Sequence, residues 1–200
     1  MGSSSSGSVR PDRVVPEATL SLLREAWVTG GLEHPNVVPV HTLGLDADGE
    51  PLLVMKRIEG VSWSDLLHGR TQEARQSGID PLGRHLDILV QVGHAVAFAH
   101  SKGIVHRDIK PENVMVGPFG EVYVLDWGLA VAVQADPRRV PLARDICGIA
   151  GTPQYMAPEM VTADGPSIGP RTDVYLLGAT LHEVLTGRMR HQGETLAAVL

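Results

Sequence analysis

Lysine is scarce in this chain of 200 residues. Only Lys56, Lys102 and Lys110 occur, so any step that needs an ammonium group has three candidates, none of them before residue 56. Cysteine is scarcer: Cys147 stands alone, which excludes an internal disulfide and suits a reducing, cytoplasmic setting. No apolar run approaches the length needed to cross a bilayer, so a soluble chain with no membrane segment is expected. Positive charge is not in excess either. A net charge of −6 and a pI near 5.8 leave nucleic acid and anionic membranes with little to hold. What remains is ordinary globular composition, enough for one domain with a real core or for one large lobe plus part of another. No internal repeat is visible.

Residues 1–16 begin with a Ser/Gly run and carry Pro11 and Pro16, so they read as a disordered or tag-like lead-in. The spacing of Leu20, Leu23 and Trp27 predicts a helix over 17–30, stopped by Gly30-Gly31. Strands are expected over 37–45 and 51–58, joined by the turn Asp46-Ala47-Asp48-Gly49. Gly60 breaks the chain and marks the boundary between two unequal parts, 17–60 and 61–200. A short helix over 62–67 would be capped by Ser62, with Asp65 in its first turn. Residues 69–83 read as a surface insertion. Leu86, Leu89, Val90, Gly93, Val96 and Ala97 predict one face of a helix over 85–100. Strands follow at 114–116 and 122–125, then an irregular stretch over 126–159. A last helix over 172–185 would bury Val174, Leu177, Leu181 and Leu185 and end at Gly187. The order predicts an α+β chain, its larger part mostly helical.

The chemistry concentrates in His106-Arg107-Asp108-Ile109-Lys110-Pro111-Glu112-Asn113. Thirteen residues past Asn113 stands Asp126-Trp127-Gly128, and Gly151-Thr152-Pro153 and Ala157-Pro158-Glu159 follow. Phosphoryl transfer asks for a hydroxyl aimed in line and for positive charge around the moving group. Asp108 is suited to accept or orient the hydroxyl proton, and Lys110 to reach the same phosphoryl group as a point charge. Asn113 and Asp126 offer hard oxygen ligands that suit Mg²⁺. Taken singly, a loop Asp or Asn is usually a cap or turn former, and a lone Lys is usually solvated. Four segments in this order and spacing outweigh those readings.

Together these segments resemble the signature set of protein kinases: catalytic loop, metal-binding Asp-Phe-Gly with Trp127 in place of Phe, and closing Ala-Pro-Glu. The pairing of Lys110 with Thr152 resembles the Ser/Thr-specific members, of the bacterial, myxobacterial-like kind. The resemblance implies a protein-kinase-like fold that uses ATP and Mg²⁺ and phosphorylates a protein Ser/Thr hydroxyl. It implies that Thr152 bonds Asp108 and Lys110, that Trp127 stacks on His106, and that Asp173 anchors the catalytic-loop backbone. Leu53 to Gly60 resembles the hinge, so Met55 would be gatekeeper, the Lys56 carbonyl and Ile58 amide would pair with adenine, and Met115 would lie under the purine. Glu25 matches the helix glutamate that pairs with the nucleotide-binding lysine.

Residues 1–24 hold no Gly-x-Gly-x-x-Gly and no Val-Ala-x-Lys. The expectation is therefore an incomplete small lobe (17–60) and a large lobe (61–200) truncated after the helix that begins near Asp173. Glu159 is expected to lack its arginine. Between Leu129 and Gly151 there is no Ser, Thr or Tyr, so Asp145 is expected to face Arg107 where other members place a phosphate. The alternative function is a pseudokinase-like binding module that regulates a partner kinase or self-associates without turnover.

Overall fold

The computed structural model describes residues 17–71, 81–135 and 140–193. The expected lead-in and most of the expected surface insertion lie outside them. Helix α1 spans Glu17–Gly30 and ends where Gly31 N–H reaches the Val28 carbonyl at 3.1 Å. Strands β1 (Val40–Leu45) and β2 (Pro51–Met55) form an antiparallel hairpin. Its turn is built by Asp46, whose Oδ1 accepts the amides of Asp48 and Glu50, with Gly49 at φ +82. Both strands are shorter than expected. Val37 forms instead a parallel bridge to Val124, and the Asn36 carbonyl accepts the Val124 amide at 2.8 Å. Asn36 Nδ2 also donates to Gln91 and to the Val122 carbonyl. The loop after α1 is thus sewn to the larger part of the molecule, although it precedes Gly60 in sequence.

Past Gly60, β3 (Val61–Ser62) leads into α2 (Trp63–Leu67), with Ser62 Oγ accepting the Asp65 amide as expected of a cap. Helix α3 (Pro81–Ser101) is the longest element, and α5 (Pro170–Thr186) packs against it. Between them lie β4 (Ile104–Val105), β5 (Val114–Val116), β6 (Val122–Val124), β7 (Val131–Ala132) and α4 (Pro158–Val161). Strands β3, β5 and β6 form one sheet, and β4 pairs with β7. Trp63, Trp127, Ile104, Ile109 and Leu176 are among the largest side chains of the core.

The helix faces differ from expectation. In α5 the buried stripe is Thr172, Asp173, Leu176, Ala179, Thr180, Glu183 and Val184, while Val174 and Leu185 are about 60% exposed. In α3 it is Ile88, Val92, Ala95, Val96 and Ala99, leaving Val90 exposed, and in α1 Leu20 and Trp27 stay exposed while Ala26, Val28 and Thr29 are covered. A face chosen by hydrophobicity misses stripes that bury small or polar residues, and α5 carries two acids inward because each meets partners there.

Candidate active site

Strand β4 delivers the chain into the loop 106–113, and two features hold that loop. Asp173, at the start of α5 and fully buried, accepts the amides of His106 (2.8 Å, Oδ2) and Arg107 (2.9 Å, Oδ1). Arg107 takes a left-handed conformation, φ +71, which a non-glycine residue adopts only when its surroundings impose it. His106 is tied by both ring nitrogens: Nε2 donates to the Leu125 carbonyl (3.1 Å), and Nδ1 accepts the Asp108 amide (3.2 Å). Its ring centroid lies 4.5 Å from that of Trp127 with the planes 51° apart, so the two rings meet tilted and not stacked as expected.

These constraints aim Asp108 into a closed set of bonds. Its Oδ1 accepts the Thr152 hydroxyl (2.8 Å) and amide (3.1 Å). Its Oδ2 accepts Lys110 Nζ (2.8 Å) and Asn113 Nδ2 (2.9 Å), and Lys110 also donates to Thr152 Oγ1. Burial opposes the Asp108 charge, but the Lys110 ammonium and the Thr152 hydroxyl outweigh it and hold the carboxyl below its ordinary value. Asn113 Nδ2 donates a second bond to the Asp108 carbonyl at 2.8 Å, which leaves its Oδ1 for another ligand.

Asp126 is placed differently. It is exposed, sits at φ +56 and accepts the Gly128 amide at a long 3.4 Å. It joins the loop through the backbone, since the Leu125 amide donates to the Asn113 carbonyl at 2.9 Å. Among the described residues no three His, Cys, Asp or Glu side chains form a metal cage. The oxygens that suit Mg²⁺ are the free Oδ1 of Asn113 and the open carboxylate of Asp126. Glu25, half-buried on α1, has its pKa raised by burial and by the Asp126 charge, and no cation pairs with it among the described residues.

The hinge candidates lie where β2 runs out. Met55 ends that strand, and Lys56 to Gly60 continue without regular structure. Lys56 Nζ donates to Tyr123 OH at 2.6 Å and its amide to the Pro39 carbonyl, whereas Ile58 is half-buried. Met115 is half-buried in β5, between Ser62 of β3 and Tyr123 of β6. These groups line the joint between the two parts of the chain and are not bonded to the Asp108 set.

One expectation is corrected. Asp145 does not face Arg107: it is held in the surface turn Ala143–Asp145, with Arg144 at 3.8 Å. Gly165 packs so close to the Ala143 and Ile146 carbonyls that this turn is locked against Gly165–Ser167. Arg107 is instead buried beside Arg24, with Nη1 on the Leu129 carbonyl at 3.4 Å. Glu159 accepts the Thr172 hydroxyl at 2.6 Å, and no arginine pairs with it among the described residues.

Sequence reasoning passed over several residues that the fold brings to this region. Arg24 Nη1 donates to the Gly128 carbonyl at 2.9 Å, tying α1 to the Asp126 segment. Tyr155 donates to buried Glu183, whose other oxygen lies 3.3 Å from His68 Nε2. His100 meets Asp173 at 2.8 Å. An acid on the wet-looking side of an amphipathic pattern was the available signal for Glu183; none existed for His100. Next to Thr152 opens a cavity of about 250 Å³ lined by Pro153, Met156, Val161, Tyr175 and His191.

Comparison with known proteins identifies the family. The family model described as a protein kinase domain matches residues 8–198. This chain belongs to the protein kinase family. The kinase domain is 36% identical over 188 residues to the serine/threonine-protein kinase PknD of Protochlamydia amoebophila, covering 86% of this chain and 19% of that protein. It is 34% identical over 187 residues to the serine/threonine-protein kinase PknB of Mycobacterium tuberculosis, covering 92% of this chain and 28% of that protein. A probable serine/threonine-protein kinase of Corynebacterium efficiens is 36% identical over 179 residues, or 88% of this chain and 25% of that protein. The kinase domain therefore spans between 19% and 28% of the length of these relatives. No helix among its described residues is long and apolar enough to cross a membrane.

Proposed function

We propose that this chain is the core of a Ser/Thr protein kinase that transfers the γ-phosphoryl group of ATP to a protein hydroxyl. The observation that carries this reading is the set around Asp108, in which one buried carboxylate is shared by Lys110, Asn113 and Thr152. Asp108, held ionised, takes the proton as the Ser or Thr oxygen attacks. Lys110 sits beside it to offset charge on the moving phosphoryl group, and Thr152 keeps both in register. Asn113 and Asp126 are the residues that would hold Mg²⁺, which supplies charge neutralisation on the phosphates. Met55 and Met115 would bound the adenine, with the Lys56 carbonyl and Ile58 amide as its backbone partners. The cavity after Thr152 would seat the apolar neighbour of the substrate hydroxyl. Residues 17–60 act as the small lobe and 61 onward as the large one. The setting is taken as cytoplasmic, where ATP is available and Cys147 stays reduced.

The test is phosphate transfer to a Ser/Thr peptide by the chain and by Asp108→Asn. The expected loss is about 10²–10⁴-fold. Equal rates for the two proteins would remove Asp108 from its assigned role.

A second reading is favoured by one observation: Glu25 faces Asp126 with no lysine before Lys56 in the sequence and no cation beside it among the described residues. On this reading the fold serves as a pseudokinase-like module for a partner kinase or a second copy. Thermal unfolding separates the two. Stabilisation that rises with ATP and Mg²⁺ to about 2.7 kcal/mol at a hundredfold excess over Kd supports a nucleotide site. No shift with nucleotide, together with no transfer, supports the module.

A further inference from the structure

We infer that His68 and Glu183 hold one proton between them, and that His68 is thereby a positioning residue for the segment that carries Thr152. His68 caps the C-terminal end of α2 and stands outside the Asp108 set. The Ser64 carbonyl meets both its backbone amide (3.0 Å) and its ring Nδ1 (2.8 Å). A carbonyl oxygen only accepts, so Nδ1 carries a hydrogen. The Ser64 hydroxyl does not compete for that nitrogen, because it donates to Glu112 Oε1 at 3.1 Å.

That tautomer decides what the other ring nitrogen can do. Nε2 lies 3.3 Å from Glu183 Oε1. In a neutral ring with hydrogen on Nδ1, Nε2 presents a lone pair, and an ionised Glu183 presents only lone pairs in return. The contact is attractive only with a proton in it, either as imidazolium and carboxylate or as imidazole and carboxylic acid. Glu183 is fully buried, its Oε2 accepts the Tyr155 hydroxyl, and its Oε1 has no hydrogen-bond partner among the described residues apart from this long contact. Burial is the main cause that raises the Glu183 pKa. Glu112, in the turn Pro111–Asn113, adds to the rise, while the Tyr155 hydroxyl, His68 and Arg70 oppose it. The His68 side chain is 27% exposed, so water reaches the pair from that side.

The consequence reaches the Asp108 set through Tyr155. Its buried hydroxyl is anchored on Glu183, and its amide donates to the Thr152 carbonyl at 3.0 Å. Thr152 in turn gives its hydroxyl and amide to Asp108 Oδ1. Once the shared proton leaves, a buried carboxylate faces a lone pair, and the anchor of Tyr155 loses its neutral or paired state. A raised value means that the folded state holds this proton more tightly than the unfolded one. The stabilisation is therefore present at low pH and lost as pH rises through the raised value. The shared proton stands on the geometry of the pair; the effect on turnover rests on the kinase reading above.

The test uses the full chain. Nitrogen-15 NMR of the His68 ring should find hydrogen on Nδ1 at every pH, with any gain or loss of a proton confined to Nε2. In His68→Gln an amide N–H meets Glu183 without titrating. Between about pH 6 and pH 9, protection of the Tyr155 amide should fall about tenfold in the wild type and stay level in His68→Gln. In the transfer assay, wild-type kcat should fall about tenfold relative to His68→Gln over the same range, with KM for peptide within twofold. A neutral His68 ring with its hydrogen on Nε2 overturns the inference even if the variant fails to fold. So do parallel pH profiles of wild type and His68→Gln. If the wild type transfers no phosphate while the ring tautomer and the Tyr155 protection behave as expected, the kinase reading falls and the shared proton stands.

Discussion

Glu25 and Asp108 are both withdrawn from solvent, yet their surroundings push them in opposite directions. Asp108 gains an ammonium, a hydroxyl and two amide donors, which together outweigh desolvation and lower its pKa. Its contribution to stability is present above the ordinary aspartate pKa and lost as pH falls through the depressed one. Glu25 gains only burial and the Asp126 charge, and its pKa is raised from 4.5. Its sign is reversed: the folded state holds the proton more tightly, so its stabilising effect is present at low pH and lost as pH rises through the raised value. Glu25→Gln should therefore raise the unfolding temperature of the ligand-free chain at pH 7 by about 2–4 °C, an advantage that fades below pH 4.5, where the wild-type carboxyl is also neutral. A variant that unfolds earlier than wild type at pH 7 would show that a cation already neutralises Glu25. Both residues were legible as candidates in the sequence. Their opposite electrostatics were not, because each set includes a distant partner: Thr152 lies 44 residues from Asp108, and Asp126 acts on Glu25 from far along the chain.

Elements show a similar division. The positions of α1, α2, α3 and α5 follow from hydrophobic spacing and from stop signals such as Gly187, which caps α5 at φ +69. Their buried faces do not. In α5 the inward stripe contains Thr172, Asp173, Thr180 and Glu183, and three of these make bonds that cross the structure to Glu159, to the catalytic-loop amides and to Tyr155. A pattern that ranks residues by apolarity places such a stripe outside. Junctions are more legible. Gly60, where β2's extended tail turns into β3, lies so close to the Val116 carbonyl oxygen that a Cβ would collide with it. Gly60→Ala should cost about 1–3 kcal/mol, because the obstacle is backbone and cannot swing away. Urea unfolding measures it, and an unchanged midpoint would mean that β3 and β5 part without loss.

Across the whole molecule, stability is unevenly shared. The large part buries Trp63, Trp127, Tyr155 and the apolar stripes of α3 and α5 in one continuous core. The β1–β2 hairpin contributes little to it: Leu45 is 70% and Leu52 48% exposed, and a two-stranded ribbon is marginal alone. Amide exchange in β1 and β2 should accordingly be governed by local opening, faster than in β5 and β6, whose residues Val114, Val116, Val122 and Val124 are covered. Equal protection across the two sheets would contradict this partition. By itself the sequence determined the family, the order of the longer elements, the cap at Ser62 and the candidate set Asp108, Lys110, Asn113, Asp126 and Thr152, since motif spacing and local propensity are properties of neighbouring residues. Only the tertiary structure decided that Asn36 and Val37 are bonded to β6, that α5 turns two acids inward, that Arg107 is buried away from Asp145, and that His100 reaches Asp173. Each of these depends on a partner dozens of residues away, and which partners meet is settled by packing and by the need of buried polar groups to be bonded.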